Sequence, residues 1–137
     1  MKKAFFITLT LVFISGAGLL AQEKDAKTQE PKEQTIAMYY FHTSFRCTTC
    51  RTVEAESKKA FESLFPEQFE NGTATFKAVN IEEEENAILV EKYQIAGQTL
   101  LLVKGEKTSD LTSQGFLYAK TNPDKLKEEI RQAFENL

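Results

Sequence analysis

Cys47, Cys50 and His42 are the residues whose types and spacing could do chemistry; they are the chain's two cysteines and its one histidine. They lie in Phe41 to Glu54, FHTSFRCTTCRTVE, where two threonines separate the thiols. Two thiols so placed can do three things. They can cycle between dithiol and disulfide, one thiolate attacking and the other resolving. They can hold a soft metal or metalloid, because such ions prefer thiolate ligands. Or they can close a static disulfide, although stabilisation grows with loop length and a CxxC closes a tiny loop. A closed zinc site is a poorer match, because it wants four ligands and this chain offers three.

Which of these the thiols can do depends on the elements that position them. Ile36 to His42, IAMYYFH, is apolar, aromatic or β-branched with almost no polar interruption, the pattern of a strand buried on both faces. Beyond Cys50, Val53, Ala60, Phe61, Leu64 and Phe65 recur at helical spacing, which predicts a helix from about Thr48 to Leu64, stopped by Pro66. Cys47 then falls where the helix begins. Unsatisfied N–H groups and the helix dipole favour a thiolate there, and Arg46 and Arg51 add positive charge. Cys47 is therefore the expected nucleophile and Cys50, one turn on, the expected resolving thiol. His42, at the end of the strand, is read as tuning the thiol or as a local structural hydrogen-bonding group. Arg46 and Arg51 are read as solvated helix-start residues or as contacts for an anionic substrate. Thr48 and Thr49 offer hydroxyls to cap the helix, and Phe45 can line an apolar substrate surface.

Asn71-Gly72 signals a turn before a second strand, Thr73 to Ile81. Glu82 to Glu85 suit a helix start, with Ile88, Leu89 and Tyr93 expected to face the sheet and no metal-binding role assigned to the glutamates. Gln98 to Lys104 reads as a third strand, Gly105 to Lys107 as a hairpin turn, and Thr108 to Ser113 as a fourth strand. A terminal helix follows Asn122-Pro123, with Leu126, Ile130, Ala133, Phe134 and Leu137 on one face. Strands alternating with helices, then a hairpin and a helix, call for an α/β three-layer fold: a central mixed four-stranded sheet with helices on both faces.

The first residues carry a different message. Lys2 and Lys3 precede an apolar run to Leu20 and small residues up to Ala21, the layout of a secretory signal. Residues 1–21 are expected to be a signal peptide cut after Ala21, with a cut after Ala17 or Gly18, or an uncleaved anchor, as alternatives. Residues 22–35, QEKDAKTQEPKEQT, hold nothing apolar larger than alanine and are expected to be a disordered linker. Residues 36–137 form the remaining domain. The formal net charge of −3 and the lack of a basic, aromatic-interleaved stretch argue against nucleic acid as a partner.

A CxxC between the first strand and first helix of such a unit resembles the thioredoxin superfamily. The resemblance covers Ile36 to Leu137 and includes Lys77 to Glu82, KAVNIE, and Tyr93 to Lys104, YQIAGQTLLLVK. It departs in two places. Thioredoxins carry a cis-proline opposite the CxxC, where it shapes substrate docking and blocks adventitious metal binding; Ala96-Gly97-Gln98-Thr99 stands there in this chain. Their buried aspartate beneath the resolving cysteine is also missing, its part of the strand being Tyr39, Tyr40 and Phe41. The resemblance thus implies that Gln98 and Thr99 are close to the substrate or tune the thiols.

More narrowly, YYFHTSFRCTTCRTVE, KAVNIEEEEN and YQIAG with its following LLLV resemble small exported thioredoxin-like subunits of nitrophenyl-compound nitroreductases, associated with resistance to aromatic arsenicals. That resemblance implies a periplasmic protein, membrane-tethered if the signal stays. It also implies an aromatic arsenical or nitroaromatic substrate, and a membrane or periplasmic redox partner or another nitroreductase subunit. No bound cofactor is expected beyond a redox-active disulfide. Nitro reduction needs several electrons and a flavin or metal, and with no GxGxxG after a strand the partner is expected to bring that group. Arsenic is the one element the resemblance would place on Cys47 and Cys50. A non-catalytic dithiol binding module and a static-disulfide interaction domain remain the alternatives.

Overall fold

The computed structural model describes residues 34–137. The expected signal, and the expected linker up to residue 33, lie outside the described residues; Gln34 and Thr35 are exposed and belong to no strand.

Strand β1 (Ile36–His42) is an inner strand of the sheet, flanked by parallel β2 (Ala74–Asn80) and antiparallel β3 (Thr99–Lys104). Strand β4 (Lys107–Asp110) pairs antiparallel with β3, giving the order β2-β1-β3-β4. Alternate residues of a strand point to opposite faces, and β1 uses both. Ile36, Met38 and Tyr40 enter one core while Ala37, Tyr39 and Phe41 enter the other.

Helices α1 (Thr48–Leu64), α4 (Thr112–Tyr118) and α5 (Pro123–Asn136) cover the first face, where Val53, Phe61, Leu126 and Ile130 are wholly buried against Leu100 and Leu102. On the second face, α3 (Ala87–Lys92) and the segment after it bring Leu89, Val90, Tyr93 and Ile95 onto Phe41, Val79, Leu101 and Val103. The result is a three-layer α/β fold with helices on both faces of a mixed four-stranded sheet. No helix among the described residues is long and apolar enough to cross a membrane.

Several boundaries differ from the sequence expectation. Pro66 ends α1 but also opens a short helix, α2 (Pro66–Glu70), because a proline at the first helical position gives up an N–H that has no partner anyway. Phe69 of α2 then packs edge-on against Phe61. The glutamate run does not begin α3 directly: a 3-10 turn (Glu84–Asn86) intervenes and α3 starts at Ala87. With that start Leu89, Val90 and Tyr93 turn inward, and Ile88, expected to face the sheet, is 82% exposed. The third strand starts one residue later than expected, at Thr99.

The fourth strand is shorter than expected, and α4 replaces its far end. Asp110 accepts hydrogen bonds from the Thr112 N–H and hydroxyl, turning the chain into a helix immediately after β4. Thr112 Oγ in turn accepts the Leu100 N–H, joining that turn to β3. Between β3 and β4 the turn is Gly105-Glu106, with Gly105 at φ +62°, the left-handed value that glycine adopts without a Cβ clash.

Candidate active site

Four loop residues separate the end of β1 from Cys47, which is the N-cap of α1. Its backbone is extended, at φ −73° and ψ 165°, and its sulfur receives the Cys50 N–H at 3.2 Å. Thr48 and Thr49, the expected source of a cap, lie inside the helix instead, and the sulfur takes their place. No carboxylate occupies the first turn of this 17-residue helix, so the positive N-terminal end of its dipole is not already neutralised there. That field and the Cys50 N–H favour a negative sulfur at position 47.

Cys47 and Cys50 are joined as a disulfide, with Cα atoms 5.2 Å apart. The two sulfurs are not equivalent. Cys47 belongs to an exposed residue, whereas Cys50 is 3% exposed and faces the protein interior. An incoming thiol or disulfide can reach Cys47, while Cys50 can act only on a group already attached to its partner.

The neighbouring side chains take positions that differ from one another. Arg46 pairs with Glu54, one turn past Cys50, and its guanidinium carbon lies 5.8 Å from the centre of the Tyr40 ring. Its charge is therefore shared with a carboxylate rather than held for Cys47 alone. Arg51 is exposed, and its N–H bonds the Cys47 carbonyl to begin the helix ladder. Tyr40 is wholly buried, and burial pushes its phenol pKa up, partly offset by Arg46. Its hydroxyl and that of Ser57, on the facing side of α1, have no hydrogen-bond partner among the described residues.

His42 is only 9% exposed. Its Nδ1 is 2.9 Å from the Thr43 carbonyl oxygen, to which it donates in the neutral ring, leaving Nε2 as the acceptor. The ring centre lies 6.1 Å from that of Tyr40. These contacts are local. Phe45, two residues before Cys47, is 86% exposed.

The loop carrying Phe45 and Arg46 is held from the end of the neighbouring strand β2. Glu82 Oε2 accepts the Ser44 N–H at 2.8 Å, and Asn80 Nδ2 donates to Ser44 Oγ at 3.0 Å. Asn80 also donates to Glu83, and Asn86 Nδ2 donates to the Asn80 carbonyl and to Glu83. Hydrogen bonds from Ser44 hold the Glu82 carboxyl below its ordinary pKa. Glu82 is thus a loop anchor, while Glu83 ties Asn80 to Asn86 and is the N-cap of the 3-10 turn. The signal available was position: β2 runs parallel to β1, so the residues just past its end must lie beside the loop that leaves β1.

Gln98 and Thr99 arrive from the other side, at the start of β3. Thr99 pairs with Phe41 in the ladder, and its hydroxyl donates to the Gly97 carbonyl. Gln98, half-buried, places Oε1 3.4 Å from Cys50 Sγ. Every peptide bond among the described residues is trans. No group of three or more His, Cys, Asp and Glu residues among them is arranged to hold a metal ion.

The arrangement therefore offers an exposed cysteine, a shielded one bonded to it, an amide beside the shielded sulfur, and polar groups that hold the loop before them. No protein-family model matches the chain, and no curated protein matches it. Among solved structures it is similar to thioredoxin O2 from Arabidopsis thaliana in the oxidized state, at 20% identity over 72% of this chain and 74% of that one, with a TM-score of 0.48. It is similar to a thioredoxin from Fasciola hepatica at 22% identity over 72% and 81% of the two chains, TM-score 0.44, and to a malarial protein at 16% over 69% and 96%, TM-score 0.43.

Proposed function

We propose that this protein is an exported thiol-disulfide redox protein in which Cys47 attacks and Cys50 resolves, serving the reduction or detoxification of aromatic arsenicals or nitroaromatics. The observation that carries the redox reading is the unequal pair: an exposed Cys47 capping α1, disulfide-bonded to a buried Cys50. A static bond closing so small a loop would stabilise little.

In the reductive direction, the Cys47 thiolate attacks one sulfur of a substrate disulfide. A mixed disulfide forms and one substrate thiolate leaves. Cys50, deprotonated, then attacks the Cys47 sulfur, expels the second substrate thiolate and leaves the Cys47–Cys50 bond. Two electrons pass to the substrate, and a dithiol partner of the membrane or periplasm must return them.

A second reading has its own support in Phe45, an exposed aromatic two residues from Cys47. A trivalent arsenical with one aryl group keeps two exchangeable hydroxyls. Both thiols can replace them, releasing two waters, while the aryl ring rests on Phe45. Here the protein is a binding module, or the arsenical is delivered to a partner subunit that carries the redox cofactor.

Trapping distinguishes these. Cys50→Ser should accumulate a mixed disulfide through Cys47 when offered a small aromatic disulfide, and Cys47→Ser should not. Equal trapping by both variants would sink the assigned roles. Stoichiometric capture of a trivalent phenylarsenical by the reduced full chain, lost in either serine variant, with no disulfide turnover, would put binding in place of catalysis.

A further inference from the structure

Reduction of Cys47–Cys50 raises a question of where the proton goes. A dithiol reductant that becomes a disulfide supplies two electrons and two protons; the sulfurs take the electrons, and one proton is enough to leave one thiol and one thiolate. The helix N-terminus and the Cys50 N–H act on Cys47 and favour the charge there. At Cys50 the surroundings are different. It is 3% exposed, so water does not serve its proton, and the polar atom in reach is Gln98 Oε1 at 3.4 Å.

In the disulfide that contact is van der Waals, because a bonded sulfur has no hydrogen to give. Once the bond is cut, the same distance suits an S–H donating to a carbonyl oxygen. Gln98 is the residue immediately before β3, 48 positions away in sequence, and its neighbour Thr99 is set by its bond to Gly97 and its pairing with Phe41. It is not a flexible surface amide that drifts near the site.

We propose that Gln98 is the positioning residue that accepts the Cys50 S–H in the reduced protein, so that the proton stays on Cys50 and the negative charge on Cys47. This rests on the redox reading above and specifies how the two thiols are kept in different protonation states. An amide oxygen accepts a hydrogen bond but is not a base, so Gln98 holds the proton without removing it. Resolution then requires another acceptor: the substrate thiolate expelled when the mixed disulfide forms, which takes the Cys50 proton and departs as a thiol before Cys50 attacks.

The test is the S–H stretching band in the infrared. It is read in the full chain carrying Cys47→Ser, where Cys50 is the remaining thiol, reduced with a phosphine. The expected result is a band lowered in frequency by hydrogen bonding. Adding Gln98→Leu, which fills similar space with no acceptor, should return the band to the position of an unbonded thiol. Gln98→Glu, which restores an acceptor oxygen, should lower it again. Should the leucine variant fail to fold, Gln98→Asn, too short to reach, takes its place with the same expectation. A band that stays put in the leucine or asparagine variant overturns the assignment. Because the phosphine reduces the chain and the mutant pair cannot cycle, the band reports on Gln98 alone. Wild-type protein whose disulfide resists dithiol buffers would sink the redox reading separately.

Discussion

Ser44 and Glu82 are 38 residues apart, and the hydrogen bond between them fixes the loop that delivers Cys47 to its helix. A carboxylate accepts this bond more strongly than a carboxylic acid does, which is why the Glu82 pKa is lowered from 4.5. A lowered carboxyl contributes fully above its ordinary value, and the contribution is lost as pH falls through the folded value. Amide exchange at Ser44 should therefore be protected at neutral pH and lose protection on acidification below 4.5. Glu82→Ala should leave Ser44 unprotected at every pH, and its loop should exchange faster than α1. Protection in that variant equal to the wild type would remove Glu82 from the account. The same scale explains why two cysteines three residues apart differ. One caps a helix and meets solvent; the other, one turn on, faces the interior beside a glutamine.

Elements explain which of these features could be read in advance. The helix α1 is legible because its buried residues Val53, Ala60 and Phe61 recur at helical spacing over 17 residues, and β1 because its apolar run is continuous. Helix α4 was not legible. It is seven residues long, it has Gly115 inside it, and it follows β4 with Leu111 alone between them. Gly115 is there because α4 lies close on α1 and β3: a Cβ at that position would sit 3.1 Å from both Val53 Cγ1 and Leu100 Cδ2. Gly115→Leu should cost about 1–3 kcal/mol by overpacking, read as a fall in the denaturation midpoint. An unchanged midpoint would mean α4 does not pack as described.

The end of α3 shows the reverse case, where local geometry and residue type disagree. Gln94 has φ +53°. Its N–H bonds the Glu91 carbonyl while Ile95 N–H bonds that of Val90, a helix end that glycine suits best. Gln94→Gly should raise stability by roughly 0.5–1 kcal/mol, because glycine takes that conformation without the side-chain clash. A lower midpoint would show that the glutamine side chain contributes more than its backbone strain removes. The site divides in the same way. Cys47 and Cys50 were visible from spacing, whereas the pairing of Arg46 with Glu54 and the Asn80, Glu82 and Asn86 anchors depend on how strands and helices are placed in space.

For the molecule as a whole, the dithiol hangs from the strand with partners on both sides and cores on both faces. Strand β1 leads to Cys47, the end of its parallel neighbour β2 and the residues just past it supply the loop anchors, and Gln98 immediately precedes its antiparallel neighbour β3. Three separate parts of the chain thus meet at the two cysteines and the loop that leads to them, with the sheet as a support. The central claim is that this convergence makes the disulfide a working redox couple rather than a fixed clasp. The direct measurement is the reduction potential of the Cys47–Cys50 pair in the full chain, equilibrated in dithiol buffers and read by thiol trapping. The account predicts a value between roughly −120 and −270 mV, the range of proteins that exchange thiols for a living. A potential below about −300 mV, where structural disulfides lie, would contradict it.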